Sequence, residues 1–96
     1  MTEAELLNEV KSGLGISGSY QDKTVKVHVR EVKAFMSSAG VRQEIIDSEA
    51  SVGVIVRGVS DLWNLNSGTV AFSEYFKMRV IQLAATPETT TTEVVV

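Results

Sequence analysis

The sequence predicts an all-α fold, a small bundle of about four helices followed by a flexible or extended C-terminal segment. Three observations carry that expectation. Apolar residues recur at three- and four-residue spacing over four stretches, which is the period of a half-buried helix. Capping residues stand at the heads of these stretches, with glycines near the feet of the first two. Finally, Thr/Val-rich composition is confined to the residues after Ala85. Residues 1–85 are therefore read as one helical domain and 86–96 as a separate segment.

The first helix starts at Thr2, whose hydroxyl can cap it while Glu5 completes a capping box. Leu6, Leu7, Val10 and Leu14 form its apolar stripe, and Gly13 and Gly15 are expected to end it. GISGSYQD then reads as a turn-rich connection, with the Tyr20 ring placed to anchor it by packing. The stretch from Asp22 to Ala39 supports two patterns. Val25, Val27 and Val29 alternate as a strand would. Val25, Val29, Val32 and Met36, joined by Phe35, fit a helical face over a longer span, and length favours the helix. Asp22 is the expected N-cap, and Gly40 stands just past the end.

VRQEIIDSE is short and mixed, with Val41, Ile45 and Ile46 expected to tuck under the core. Ser48 or Ser51 can cap the third main helix, in which Val52, Ile55, Val56, Val59, Leu62 and Trp63 recur at helical spacing. Gly53 and Gly58 each cost about 1 kcal/mol relative to alanine inside a helix, so close packing against a neighbouring backbone is expected there. Asn64 to Gly68 is a loop by composition. Ser73 caps the last helix, whose Phe76, Val80, Leu83 and Ala84 share a face. The segment TPETTTTEVVV favours extended backbone and, given a sheet edge, can add to it as a strand.

Composition narrows the function classes. A chain of 96 residues is one domain and buries about 60–65% of its unfolded surface. Its net charge of −3 argues against a sequence-independent grip on nucleic acid, which needs a basic face. Cysteine is absent, which removes disulfides, thiol chemistry and Cys-based zinc sites. MTEAELLNEV is acidic and amphipathic, unlike a secretory leader. No run approaches the roughly 18 apolar residues of a membrane span, so a soluble protein made in a cytoplasm is expected.

No group of residues points to catalysis. His28 is the lone histidine and lies beside an apolar face without clustered carboxylates, a poor metal site. Ser17, Ser19, Ser37 and Ser38 fall at turns or helix ends, where serine caps backbone groups. GLGISG follows a helix rather than the strand that a phosphate-binding loop requires. No catalytic, cofactor-binding or metal-binding residue is expected, and no cofactor or small-molecule substrate.

The remaining signals concern surfaces. Arg57 and Asp61, four residues apart, either pair on a solvated face or meet a neighbouring subunit. Trp63 fits a core or an interface by type. Lys23, Lys26, Arg30 and Lys33 fall on one stripe of the second helix, which is either solvated or turned toward an acidic partner or a nucleic acid.

Taken in order, LGISG, AFMSSAGV, SVGVIVRGVSDLWNLNSG and the Tyr/Phe-containing helix ending RVIQLA resemble the head–tail connector proteins of long-tailed bacteriophages and related prophages, also called adaptor or head-completion proteins. The resemblance covers about residues 4–85 and is most specific in VGVIVRGVSDLWN and FKMRVIQLA. It implies a non-enzymatic virion subunit at the head–tail junction. Such subunits assemble as a homo-oligomeric ring of about a dozen copies joined by heterologous contacts. The ring docks under the portal protein, extends the DNA channel and receives the phage tail or a stopper protein. DNA passes through without specific binding. Under this resemblance, Val54, Arg57, Val59, Asp61, Trp63, Tyr75 and Phe76 are candidate subunit-interface residues. Thr89, Thr90, Val94, Val95 and Val96 are candidate contacts to the portal or the next ring. The alternative is a small helical DNA-binding regulator using the basic face of the second helix.

Overall fold

The computed structural model describes residues 2–64 and 72–86. These residues form α1 (Glu3–Leu14), α2 (Asp22–Ser38), a short α3 (Gln43–Ile46), α4 (Val52–Trp63) and α5 (Glu74–Ala84), with a 3₁₀ turn, Glu49–Ser51, leading into α4. Among the described residues there is no strand, and the fold is all-α. The expected loop Asn64–Gly68 and the segment after Thr86 lie, Asn64 excepted, outside the described residues.

Local signals explain most boundaries. Thr2 Oγ1 accepts from the Glu5 amide at 3.1 Å while Glu5 Oε1 accepts from the Thr2 amide at 2.9 Å, closing the capping box. Gly15, at φ 74°, provides the left-handed C-cap, and its neighbour Gly13 stays inside the helix. There Gly13 approaches the Val56 side chain so closely that a Cβ would collide with it. Asp22 is not the N-cap of α2. That place falls to Gln21, which makes no side-chain capping bond, and Asp22 instead pairs with Lys11 at 2.7 Å across the α1–α2 turn. Tyr20 does not anchor this turn: its ring is 94% exposed.

Residues 43–46, in the stretch read as short and mixed, form one helical turn, and Val41, Ile45 and Ile46 are buried in the core as expected. Ser51 caps nothing. It is wholly buried, and its hydroxyl donates to the Ile46 carbonyl at 2.6 Å and the Ser48 carbonyl at 3.1 Å, tying α3 to the start of α4. Ser48 caps the 3₁₀ turn, accepting from the Ala50 amide.

The core is built around α4, which packs on α1, α2 and α5. Val54, Ile55, Gly58 and Val59 are all buried, and full solvent exposure along α4 is confined to a strip through Gly53 and Arg57. A helix that is apolar nearly all round belongs in the middle of a fold. Val10 of α1, Val25, Val32 and Met36 of α2, and Phe76 and Val80 of α5 close around it. The two helix glycines of α4 differ. A Cβ on Gly58 would lie 2.6 Å from Phe76 Cε1 and 3.0 Å from Val32 Cγ1, whereas one on Gly53 would meet nothing within 4 Å. The close approach at Gly58 is made by side chains rather than by a backbone, and the expectation for Gly53 fails.

Candidate interaction surfaces

Each sequence-derived interface residue has a definite place. Val54, Val59 and Phe76 are core residues, wholly or almost wholly buried, and drop out of any surface. The reason is the central position of α4: with neighbours on three sides, its apolar surface serves the fold itself. Trp63 is partly buried, its ring edge-on to His28 with centroids 6.0 Å apart. His28 thus has an aromatic neighbour from α4. Among the described residues no group of three His, Asp or Glu side chains could hold a metal ion.

Arg57 and Asp61 do pair, at 3.4 Å, but unequally: the arginine side chain is 49% exposed and the aspartate 9%. The stronger partner of Asp61 is Ser73. Asp61 Oδ2 accepts from both the Ser73 amide and its hydroxyl at 2.9 Å. Ser73 Oγ in turn accepts from the Phe76 amide at 3.1 Å, as the expected cap of α5. The carboxylate therefore joins the end of α4 to the start of α5 through a capped helix N-terminus, where negative charge is favoured. Phe35, Phe72 and Phe76 stack beside this junction, with centroid separations from 4.5 to 5.7 Å.

The outward surface of α5 is the most apolar exposed helix face among the described residues. Tyr75, Met78 and Ile81 are 57%, 52% and 67% exposed. At about 100° per residue, Met78 lies almost opposite the buried face of Phe76, Val80 and Leu83, with Tyr75 and Ile81 to either side. Glu74 and Lys77 pair at 3.1 Å along the same surface. The sequence reading included Tyr75 but missed Met78 and Ile81. The signal was present, since assigning the core face leaves these apolar residues on the other one.

The basic stripe of α2 is real as a surface. Lys23, Lys26 and Arg30 are exposed, Lys33 is partly buried, and among the described residues none of the four makes an ion pair with a carboxylate. Lys26, Arg30 and Lys33 border a shallow cleft between α1 and α2 whose floor is Leu6, Leu7 and Val29. That cleft adjoins a larger one of about 240 Å³, which shares Glu3, Leu6 and Lys33 and continues past Asp47, Ser48 and Val52.

The one clearly displaced titration among the described residues belongs to Glu5. Its carboxyl is held below the ordinary glutamate range by the hydrogen bond from the Thr2 amide. It is a capping group of α1. Among the described residues, no helix is long and apolar enough to cross a membrane. The candidate residues Thr89, Thr90, Val94, Val95 and Val96 lie outside the described residues. No protein-family model, curated protein or solved structure matches the chain.

Proposed function

We propose that this chain is a structural subunit of a head–tail connector ring that docks beneath a phage portal, extends the DNA channel and offers an attachment surface to the phage tail or a stopper. The family resemblance of residues 4–85 motivates the reading, and one structural observation supports it: α5 exposes three large apolar side chains on the side away from its buried face. Its inner face, Phe76, Val80 and Leu83, is buried, while Tyr75, Met78 and Ile81 stand in solvent. An exposed apolar patch of this kind, set among Glu74, Lys77 and Gln82, is a candidate for a second partner, and a heterologous ring contact would supply one. Arg57, half exposed on the outer strip of α4 and paired with Asp61, is the candidate polar residue for a contact on that helix.

Light scattering after size exclusion, over a wide concentration range, tests the reading directly. A particle of about a dozen subunits, lost in M78D/I81D with the helical content unchanged, is the expected result. A chain that assembles only on its template would remain monomeric alone and be captured by a purified portal ring. The proposal is refuted if the chain forms no large particle and no portal ring captures it.

The DNA-binding regulator has its own observation, the cations of α2 that have no carboxylate partner among the described residues. It predicts duplex binding that falls steeply with salt. Glu3 and Asp47 along the same groove count against it, because they would repel a continuous phosphate backbone.

A further inference from the structure

Two apolar surfaces of this chain complement each other, and they lie on different elements. One is the outward face of α5, where Tyr75, Met78 and Ile81 stand in solvent. The other is the floor of the shallow α1–α2 cleft, Leu6, Leu7 and Val29, of which Leu7 is only partly buried. The first is a ridge of large side chains and the second a depression.

Their polar rims match as well. The cleft is walled by Lys26, Arg30 and Lys33 on the α2 side and by Glu3 on the α1 side. Among the described residues none of these four makes an ion pair. Both signs are present, so a guest of single sign, such as a phosphate backbone or an acidic peptide, meets one wrong charge. α5 offers both signs. At about 100° per residue, Lys77 falls beyond Ile81 on one flank of the outward face and Tyr75 falls on the other, with Glu74 between them one turn before Met78. Glu74 and Lys77 pair with each other at 3.1 Å, but their side chains are 91% and 45% exposed, so both can take other partners.

We propose that the outward face of α5 docks into the α1–α2 cleft of a second copy, with Met78 and Ile81 over Leu6, Leu7 and Val29. Lys77 then lies on the Glu3 wall and Tyr75 on the α2 wall, where a cation beside an aromatic ring is favourable. Glu74 turns from Lys77 to the α2 cations. Ridge and cleft are different surfaces, so the contact is heterologous and propagates head to tail. It rests on the ring reading in taking a self-contact as given, and adds the surface that receives α5. The rival arrangement, α5 against itself across a two-fold axis, leaves the cleft uncovered.

The chain has no cysteine, so engineered thiols report the contact directly. Chains carrying Leu7→Cys are mixed with chains carrying Met78→Cys at high concentration and mildly oxidised. The mixed disulfide should exceed both same-variant disulfides several-fold, and the double variant L7C/M78C should give a ladder of oligomers on a non-reducing gel. Adding Lys77→Glu to the M78C chain, or Glu3→Lys to the L7C chain, should cut the mixed yield several-fold by setting like charges together. Using both should restore it, with circular dichroism checking that α1 stays helical. Should L7C unfold the chain, Lys26→Cys on the exposed wall replaces it, bridged to M78C by a short bis-maleimide. The proposal is overturned if M78C chains join chiefly to one another, as two-fold pairing requires, or if the mixed product does not exceed the same-variant ones. A particle of about a dozen subunits without the mixed disulfide would remove this contact and leave the ring reading standing. A mixed disulfide in open chains that no portal ring captures would uphold the contact and remove the ring.

Discussion

Gly58 offers the sharpest test of how α4, α2 and α5 fit together. Replacing it with alanine adds one methyl group, and in isolation that should help: glycine inside a helix is about 1 kcal/mol worse than alanine. The packing opposes it. The new Cβ would stand 2.6 Å from Phe76 Cε1 and 3.0 Å from both Phe76 Cζ and Val32 Cγ1. The ring cannot swing aside freely, because it is fully buried and lies 4.5 Å from Phe72 and 5.7 Å from Phe35, centroid to centroid. Overpacking of this kind costs about 1–3 kcal/mol, and a contact this short on an immobile ring belongs in the upper half of that range. After subtracting the propensity gain, Gly58→Ala should destabilise the chain by about 1–2 kcal/mol.

For a domain of this size that is a fall of about 4–16 °C in Tm, at 4–8 °C per kcal/mol. Thermal unfolding followed by far-ultraviolet circular dichroism measures it, with urea unfolding as a second reading. Gly53→Ala is the control: no atom lies within 4 Å of its added Cβ, so its Tm should stay level or rise. A Gly58→Ala chain that melts at or above the parent temperature would refute the argument, since the α4–α5 contact would then have room that the distances deny.

Other perturbations separate effects that look alike in sequence. Asp61→Ala removes the acceptor of two Ser73 bonds from a largely buried site and should cost about 2 kcal/mol in urea unfolding. Arg57→Ala, which removes only the half-exposed partner, should cost under about 0.5 kcal/mol; equal losses would mean that the ion pair, not the Ser73 bridge, holds the junction. Thr2→Ala should lower stability by about 1 kcal/mol through the lost cap. Because the folded Glu5 carboxyl is depressed, its contribution to α1 is present above the unfolded value and disappears as pH falls through the folded one. An NMR titration should place Glu5 below the ordinary 4.5, and a midpoint at or above it would remove the capping box from the account.

Much of the fold was legible because helix periodicity and capping are local. Thr2 with Glu5, Gly15 and Ser73 mark ends that need no knowledge of the rest of the chain, and the structure keeps each of them. α2 was legible by length, its strand-like valines yielding to the face of Val25, Val29, Val32 and Met36. What failed was non-local or too short. The four residues of α3 cannot show a 3.6-residue period. Whether Asp22 caps or forms an ion pair depends on where Lys11 arrives from α1, and Tyr20 stands in solvent because its turn sets it away from the helices.

The surface was less legible than the core for a related reason: apolarity marks a residue for burial without saying what buries it. Val54 and Val59 carry the same apolar signal as Tyr75, Met78 and Ile81, and the arrangement of α4 between three helices is what buries them, whereas on α5 the helical period already sets Phe76 opposite Met78. That separation has a consequence for any assembly. Val59→Asp would place a charge in a fully buried site and unfold the chain, so loss of a particle in that variant would say nothing about an interface. Met78→Asp changes a residue that is half in solvent on the side of α5 away from the core, and should leave the melting temperature nearly unchanged. If Met78→Asp abolished assembly at unchanged Tm, the outer face of α5 would be a subunit contact. If Met78→Asp left assembly intact, the apolar surplus of α5 would need another explanation, and the ring contact would have to be sought along Arg57 and the outer strip of α4.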